Sequence, residues 1–178
     1  YKMYFGDKGG VTVSGGEPLM QPAFVEELFS LLHKEGHPHG AGHLRRVGRL
    51  ERRLPGAGSH GFGLGDLKFA TPEEYRLHCK ADMEKPLAFY RLAEERNIPL
   101  WVRHVVVPGF NDSLEDMGKI KVLAESFSNL EKIEWLPFHN LCVEKYQSLG
   151  IPFPLAGTDN MDEEALQRLV EQLNAEGA

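Results

Sequence analysis

Apolar positions along this chain switch repeatedly between a period of two and a period near 3.6. Val11 and Val13 alternate as in a short strand. Residues 22–35 then read as a helix, with Phe24, Leu28, Leu31 and Leu32 as its apolar face, Pro22 in its first turn, and Lys34 and Gly36 as C-terminal signals. Thr71-Pro72-Glu73-Glu74 has the form of a cap, a proline at the first helical position and acids in the first turn. A longer helix is expected over 83–96, with Leu87, Tyr90 and Leu92 inward and Asn97 closing it. Residues 99–107 are rich in β-branched and aromatic side chains and predict a strand that Pro108-Gly109 stops. Ser113 is placed to cap a helix running to about Phe127, with Glu115 and Asp116 in its first turn. A short strand over 133–136 ends at Pro137-Phe138-His139, and Asp162 caps a last amphipathic helix carrying Leu166, Leu169, Val170 and Leu173.

Strand and helix therefore alternate, which predicts an α/β fold with a parallel sheet and crossover helices. No internal repeat is evident. In barrels of parallel strands the chemistry collects at the C-terminal strand ends. Three polar turns fall near such ends: Gly15-Gly16-Glu17, Asp66-Leu67-Lys68 and the turn holding His139. That coincidence favours one shared site.

Bulk numbers narrow the picture. With 178 residues, 42% of them hydrophobic, the chain suits a single domain with a real core. A net charge of -6 implies no general attraction to nucleic acid or anionic membranes. No apolar run approaches the roughly 20 residues a membrane-spanning helix needs, and nothing resembles a signal peptide. Cys79 and Cys142 are too few for a disulfide scaffold, fit a reducing cytoplasm and sit in no metal-type cluster. Tyr1 follows no initiator Met, so the chain reads as a fragment whose beginning lies upstream.

The most informative stretch is Gly9-Gly10-Val11-Thr12-Val13-Ser14-Gly15-Gly16-Glu17-Pro18-Leu19. Glycines let a ligand approach bare backbone, and a carboxylate beside them can hold a cationic amino group. Two glycines and an acid also make an ordinary turn after a strand. The whole string, however, resembles the GGE segment of radical SAM enzymes in the form found in pyruvate formate-lyase activating enzymes. The resemblance continues through Asp66-Leu67-Lys68, through Trp101-Val102-Arg103-His104-Val105-Val106-Val107-Pro108-Gly109, and through residues 133–139. Each block alone is unspecific, and Asp66 with Lys68, Arg103 and His139 could each be a solvated strand-end or loop residue. Their order and spacing together are specific.

The resemblance implies a partial (βα) radical SAM barrel, with the first strand and the cluster loop missing. It implies that Gly15, Gly16 and Glu17 bind the amino group of S-adenosylmethionine. Asp66, Leu67 and Lys68 would help hold its methionine and carboxylate end. Arg103 would lie near the cofactor and the docked substrate loop, as the catalytic residue, and His139 would contact the nucleoside. The implied activity is that of a glycyl-radical-enzyme activase. A reduced 4Fe–4S cluster cleaves S-adenosylmethionine, and the resulting radical takes a hydrogen from a glycine Cα on a partner, pyruvate formate-lyase being the nearest match. Reduced flavodoxin or ferredoxin is the implied electron donor. An activase of a different glycyl radical enzyme is the alternative within the class. A non-catalytic remnant with a basic His/Arg loop is the alternative outside it.

Two departures stand out. The family's CxxxCxxC cluster motif is absent, and it is expected upstream of Tyr1, so this polypeptide alone is expected to be inactive. Residues 37–65 also break the pattern. They hold His37, His39, His43 and His60, five arginines (Arg45, Arg46, Arg49, Arg52, Arg53) and one acid, Glu51. A metal-binding histidine tract or a basic anion-binding loop are two readings. The favoured third is a reading-frame slip. Read one base later, the codons over 37–45 permit Ile-His-Thr-Ala-Leu-Asp-Thr-Ser-Gly, close to a strand of the resembled family. The same offset over 57–64 permits an apolar strand leading into Asp66. As written, the segment lacks strand propensity and is expected to be irregular.

Overall fold

The computed structural model describes residues 11–13, 21–34, 39–42 and 61–176. Five strands form one sheet: β1 (Val11–Val13), β2 (His39–Gly42), β3 (Gly61–Asp66), β4 (Leu100–Val106) and β5 (Leu130–Pro137). They lie side by side in chain order, and every neighbouring pair is parallel. Parallel neighbours require crossovers. Helix α1 (Pro22–Lys34) lies between β1 and β2 in the chain, and α2 (Pro72–Glu74) with α3 (Glu84–Glu95) between β3 and β4. Helix α4 (Leu114–Glu125) lies between β4 and β5, and α5 (Val143–Ser148) and α6 (Glu163–Glu176) follow β5. This is the α/β arrangement the alternation predicts.

The local signals act where the sequence puts them. Thr71 caps α2 by accepting from the Glu74 backbone N–H, with Pro72 at the first helical position. Ser113 caps α4 by accepting from the Asp116 N–H, and Asp162 accepts from the Ala165 N–H at the start of α6. Asn97 ends α3 with a φ of 51°, a left-handed value that asparagine tolerates. Helix α4 stops two residues short of the expected Phe127, whereas β5 is longer than the expected 133–136.

Two helix faces differ from expectation. In α1 the buried residues are Val25 and Phe29, flanked by half-buried Leu28 and Leu32, while Phe24 and Leu31 are exposed. The stripe 25, 28, 29, 32 keeps the i, i+3, i+4, i+7 spacing, so the helix is turned by one position. In α3 the buried set is Pro86, Phe89, Tyr90 and Ala93, with Leu87 and Leu92 only partly covered.

Within 37–65 the expectation of irregular structure needs correcting for the described residues, 39–42 and 61–65. His39–Gly42 and Gly61–Asp66 are both strands, and β2 sits between β1 and β3. A parallel ladder is made by backbone groups, so a glycine-rich strand flanked on both sides satisfies its hydrogen bonds despite weak propensity. In β3 the glycines make room for rings. A Cβ on Gly63 would come within 3.0 Å of the Phe89 ring, and one on Gly65 within 2.8 Å of the Tyr90 hydroxyl. Residues 43–60, with the five arginines and His43 and His60, lie outside the described residues.

Burial along β4 alternates without a break: Leu100, Val102, His104 and Val106 are buried, and Trp101, Arg103 and Val105 are half-buried. The buried side packs on the helices. One cluster gathers Leu100 and Val102 with Leu67, Tyr75, Phe89, Tyr90, Ile120 and Ala124. A second joins Val106 and Val107 with Met117, Phe138, Met161, Leu166 and Leu173. The other face carries Arg103 beside Asp66, its register partner, and Trp101 stacked on Phe62 with ring centroids 4.7 Å apart.

Candidate functional site

The strap Asp66-Leu67-Lys68 begins on the last residue of β3 and leaves the sheet at its C-terminal edge. Strand alternation turns Asp66 to the open face, where its carboxylate is nearly covered. Arg103 meets it with two nitrogens, Nε at 3.0 Å and Nη2 at 2.8 Å from Oδ1. Lys68 Nζ holds the other oxygen at 2.8 Å. The side chain of Arg103 is 18% exposed and that of Lys68 is 43% exposed. Among the described contacts, one carboxylate lies between two cations. The more exposed cation, Lys68, stands on the solvent side.

The backbone of the strap is tied down at three points. The Leu67 N–H donates to the Arg103 carbonyl at 2.9 Å, which prolongs the β3–β4 ladder by one residue. The Leu67 carbonyl lies 2.8 Å from His104 Nδ1. The Lys68 N–H donates to the Tyr75 hydroxyl at 2.8 Å. Burial pushes the Tyr75 phenol up to about 12, so it stays neutral. Leu67 itself is fully buried in the first apolar cluster and anchors the turn.

His104 is 2% exposed, and burial is the main cause holding its pKa below 6.5. Neutral imidazole has one donor and one acceptor. A carbonyl accepts only, so Nδ1 carries the proton toward Leu67, and Nε2 accepts from Asn111 Nδ2 at 3.1 Å. Asn111 uses its other N–H on the Val105 carbonyl at 3.1 Å, and its Oδ1 accepts from the Val107 N–H at 2.6 Å. Every polar atom of this buried pair is satisfied.

The structure thus brings Asp66, Lys68 and Arg103 into one cluster, with Leu67 as its buried anchor. His139 is exposed on the turn leaving β5, at the same edge of the sheet but two strands across, about 10 Å in lateral spacing. Gly15, Gly16 and Glu17 lie outside the described residues. Sequence reasoning missed Tyr75, His104 and Asn111. For His104 a signal exists: it occupies a core-facing position in a strand whose other core-facing residues are Leu100, Val102 and Val106. A polar residue there requires partners.

Among the described residues no helix is long and apolar enough to cross a membrane, and no group of three His, Cys, Asp or Glu side chains could hold a metal. The two cysteines of the sequence lie apart in the chain, Cys79 at the end of the turn after α2 and Cys142 just before α5. An iron–sulfur cluster requires several thiolates. This donor set does not fit one.

The parallel sheet in chain order, helix-backed on one face, is shared with solved structures of a pyruvate-formate lyase-activating enzyme domain and a radical SAM enzyme. A domain of pyruvate-formate lyase-activating enzyme from Bacteroides vulgatus superposes with a TM-score of 0.69 at 21% identity, over 94% of both chains. A radical SAM methyltransferase from Sphaerobacter thermophilus gives a TM-score of 0.64 at 17% identity, over 94% of this chain and 48% of that one. No protein-family model matches. The chain is 36% identical over 183 residues to the pyruvate formate-lyase-activating enzyme of Staphylococcus epidermidis, an alignment covering 99% of this chain and 73% of that protein. It is 37% identical over 185 residues to the enzyme of the same name from Staphylococcus aureus strain USA300, with the same coverage. The chain belongs to the pyruvate formate-lyase-activating enzyme family.

Proposed function

We propose that the C-terminal strand ends hold S-adenosylmethionine, in an activase whose partner is a glycyl radical enzyme, pyruvate formate-lyase by the names of the relatives. The observation that carries this reading is the Asp66–Lys68–Arg103 cluster. An exposed lysine held beside a fixed carboxylate–guanidinium pair can take the carboxylate of an amino-acid ligand. Lys68 takes the ligand carboxylate by swinging from Asp66, and Arg103 holds Asp66 in place through its two nitrogens. Gly15, Gly16 and Glu17 take the ammonium group, and His139 the nucleoside end. Bound in this way, S-adenosylmethionine supplies the sulfonium whose cleavage drives hydrogen abstraction in the class.

Calorimetric titration of S-adenosylmethionine onto the 178-residue chain tests the reading. Lys68→Ala is expected to weaken binding about tenfold or more, the usual scale for losing one charge-assisted contact. Unchanged affinity in a folded Lys68→Ala variant sinks it.

The cluster is a separate matter. Two separated cysteines provide no three-thiolate set, so the chain alone is expected to assemble no 4Fe–4S cluster and to activate no partner. Anaerobic reconstitution with iron and sulfide, followed by iron counting, checks this. Four irons per chain with the visible absorption of a cluster is the outcome that overturns it.

A further inference from the structure

We propose that His104 is a positioning residue for the cofactor strap, acting through the Leu67 carbonyl and steered in turn by Asn111; the inference rests on the reading of Asp66 and Lys68 given above. The two residues that would meet the ligand flank Leu67, and the peptide units on either side of Leu67 set the direction in which both side chains leave the sheet. Nδ1 of His104 grips the carbonyl of that residue at 2.8 Å from the helix-backed face, while Asp66 and Arg103 meet on the open face. The grip therefore reaches the site through the thickness of the sheet.

Its hydrogen-bond logic is closed. Asn111 is 7% exposed and sits in the turn after β4, where Val107 N–H donates to its Oδ1 and Val105 carbonyl accepts from its Nδ2. Those two bonds fix which way the amide faces, so Nδ2 must present a donor to His104 Nε2. That donor leaves Nε2 as the acceptor and puts the proton on Nδ1, the atom facing Leu67. The Trp135 ring packs on the imidazole in a T-shaped contact, with centroids 5.6 Å apart. Groups facing this pair from its surroundings are Lys68 and Asp66 on the strap, Glu74 and His78 after it, and Asp116 and Lys119 on α4. None of them is hydrogen-bonded to the imidazole among the described contacts. Any buried histidine needs partners on both nitrogens; what points to positioning here is the identity of the acceptor, the carbonyl of Leu67 between Asp66 and Lys68.

Two substitutions separate positioning from packing. His104→Asn places a side-chain N–H close to where Nδ1 stands and keeps the bond to Leu67; His104→Leu fills similar volume and cannot donate. Titration of S-adenosylmethionine is expected to show binding about five- to tenfold weaker in His104→Leu, the size of one lost buried hydrogen bond, and within about twofold of the parent in His104→Asn. Amide hydrogen exchange in the ligand-free chain supplies the second readout. In His104→Leu the Lys68 amide is expected to exchange at least about tenfold faster relative to the Val102 amide, and in His104→Asn it is not. Equal weakening in both variants, or an unchanged Lys68-to-Val102 exchange ratio in His104→Leu, overturns the proposal. Should the parent chain bind no S-adenosylmethionine, the reading of the site fails, and the exchange ratio alone still decides whether His104 orders the strap.

Discussion

Gly65 stands with no Cβ against the Tyr90 ring, one residue before the carboxylate at the centre of the site. A methyl group there would approach the Tyr90 hydroxyl to 2.8 Å and the ring carbon bearing it to 2.9 Å, and Tyr90 is fully buried. Gly65→Ala is therefore expected to destabilise the fold by about 1–3 kcal/mol, the range for overpacking a core. A drop in the urea midpoint with an unchanged slope checks it, and an unchanged midpoint counts against the packing argument. His104 gives a prediction of different kind. Its pKa is lowered from 6.5 mainly by burial, with Lys68 adding to the effect and the Leu67 carbonyl and the carboxylates of Asp116 and Asp66 opposing it. A group that is harder to protonate folded than unfolded contributes its full stability above about pH 6.5 and loses it as the pH falls toward the folded value. Urea unfolding at pH 7.5 and pH 5.5 is thus expected to show a larger loss for the parent chain than for His104→Asn. Equal losses would show that His104 is as easily protonated folded as unfolded.

Among the elements, helices announced by caps and strands carrying β-branched or aromatic residues were legible in the sequence, whereas the glycine-rich strands β2 and β3 were not. Thr71, Ser113 and Asp162 each mark a helix start through a side-chain oxygen that accepts a backbone N–H, a local interaction visible in a few residues. Strand β2 is the opposite case: nothing in His39-Gly40-Ala41-Gly42 favours extension, and its place between β1 and β3 comes from neighbours far along the chain. The site divides the same way. Asp66, Lys68 and Arg103 are named by motif, but their mutual contact depends on the β3–β4 register, which pairs Asp66 with Arg103. The proposed frame slip over 37–65 remains a statement about the gene, decided by whether the DNA carries opposite indels near the codons of His37 and Gly65. The Thr71 cap matters beyond its own helix. It starts the turn that delivers Tyr75 to the Lys68 N–H. Thr71→Ala is expected to cost about 1 kcal/mol of stability, again read from the urea midpoint, and no measurable change would place Tyr75 independently of the cap.

Across the whole molecule, order is concentrated around β4. That strand is paired on both sides, by β3 and by β5, and its buried residues contribute to both apolar clusters. Leu100 and Val102 are completely buried against α3 and α4 residues, and Val106 is completely buried against Met117, Phe138 and the α6 side chains. Opening the β4 amides therefore requires separating both clusters at once, whereas among the described residues β1 has a single ladder, with β2. Exchange of the most protected amides tracks the global unfolding free energy, and less supported regions open locally at lower cost. Amides of Val102, His104 and Val106 are expected to be the slowest in the chain, and to slow or quicken together when denaturant is varied. Those of β1 and β2 are expected to exchange faster, with a weaker dependence on denaturant. Because Arg103 lies on β4 and the strap hangs from its ladder, the proposed carboxylate-binding end of the site would rest on this doubly paired strand. If the slowest amides were found in β1 or β2 instead, the site would rest on a locally opening sheet, and the rigid grip ascribed to Arg103 and His104 could not operate.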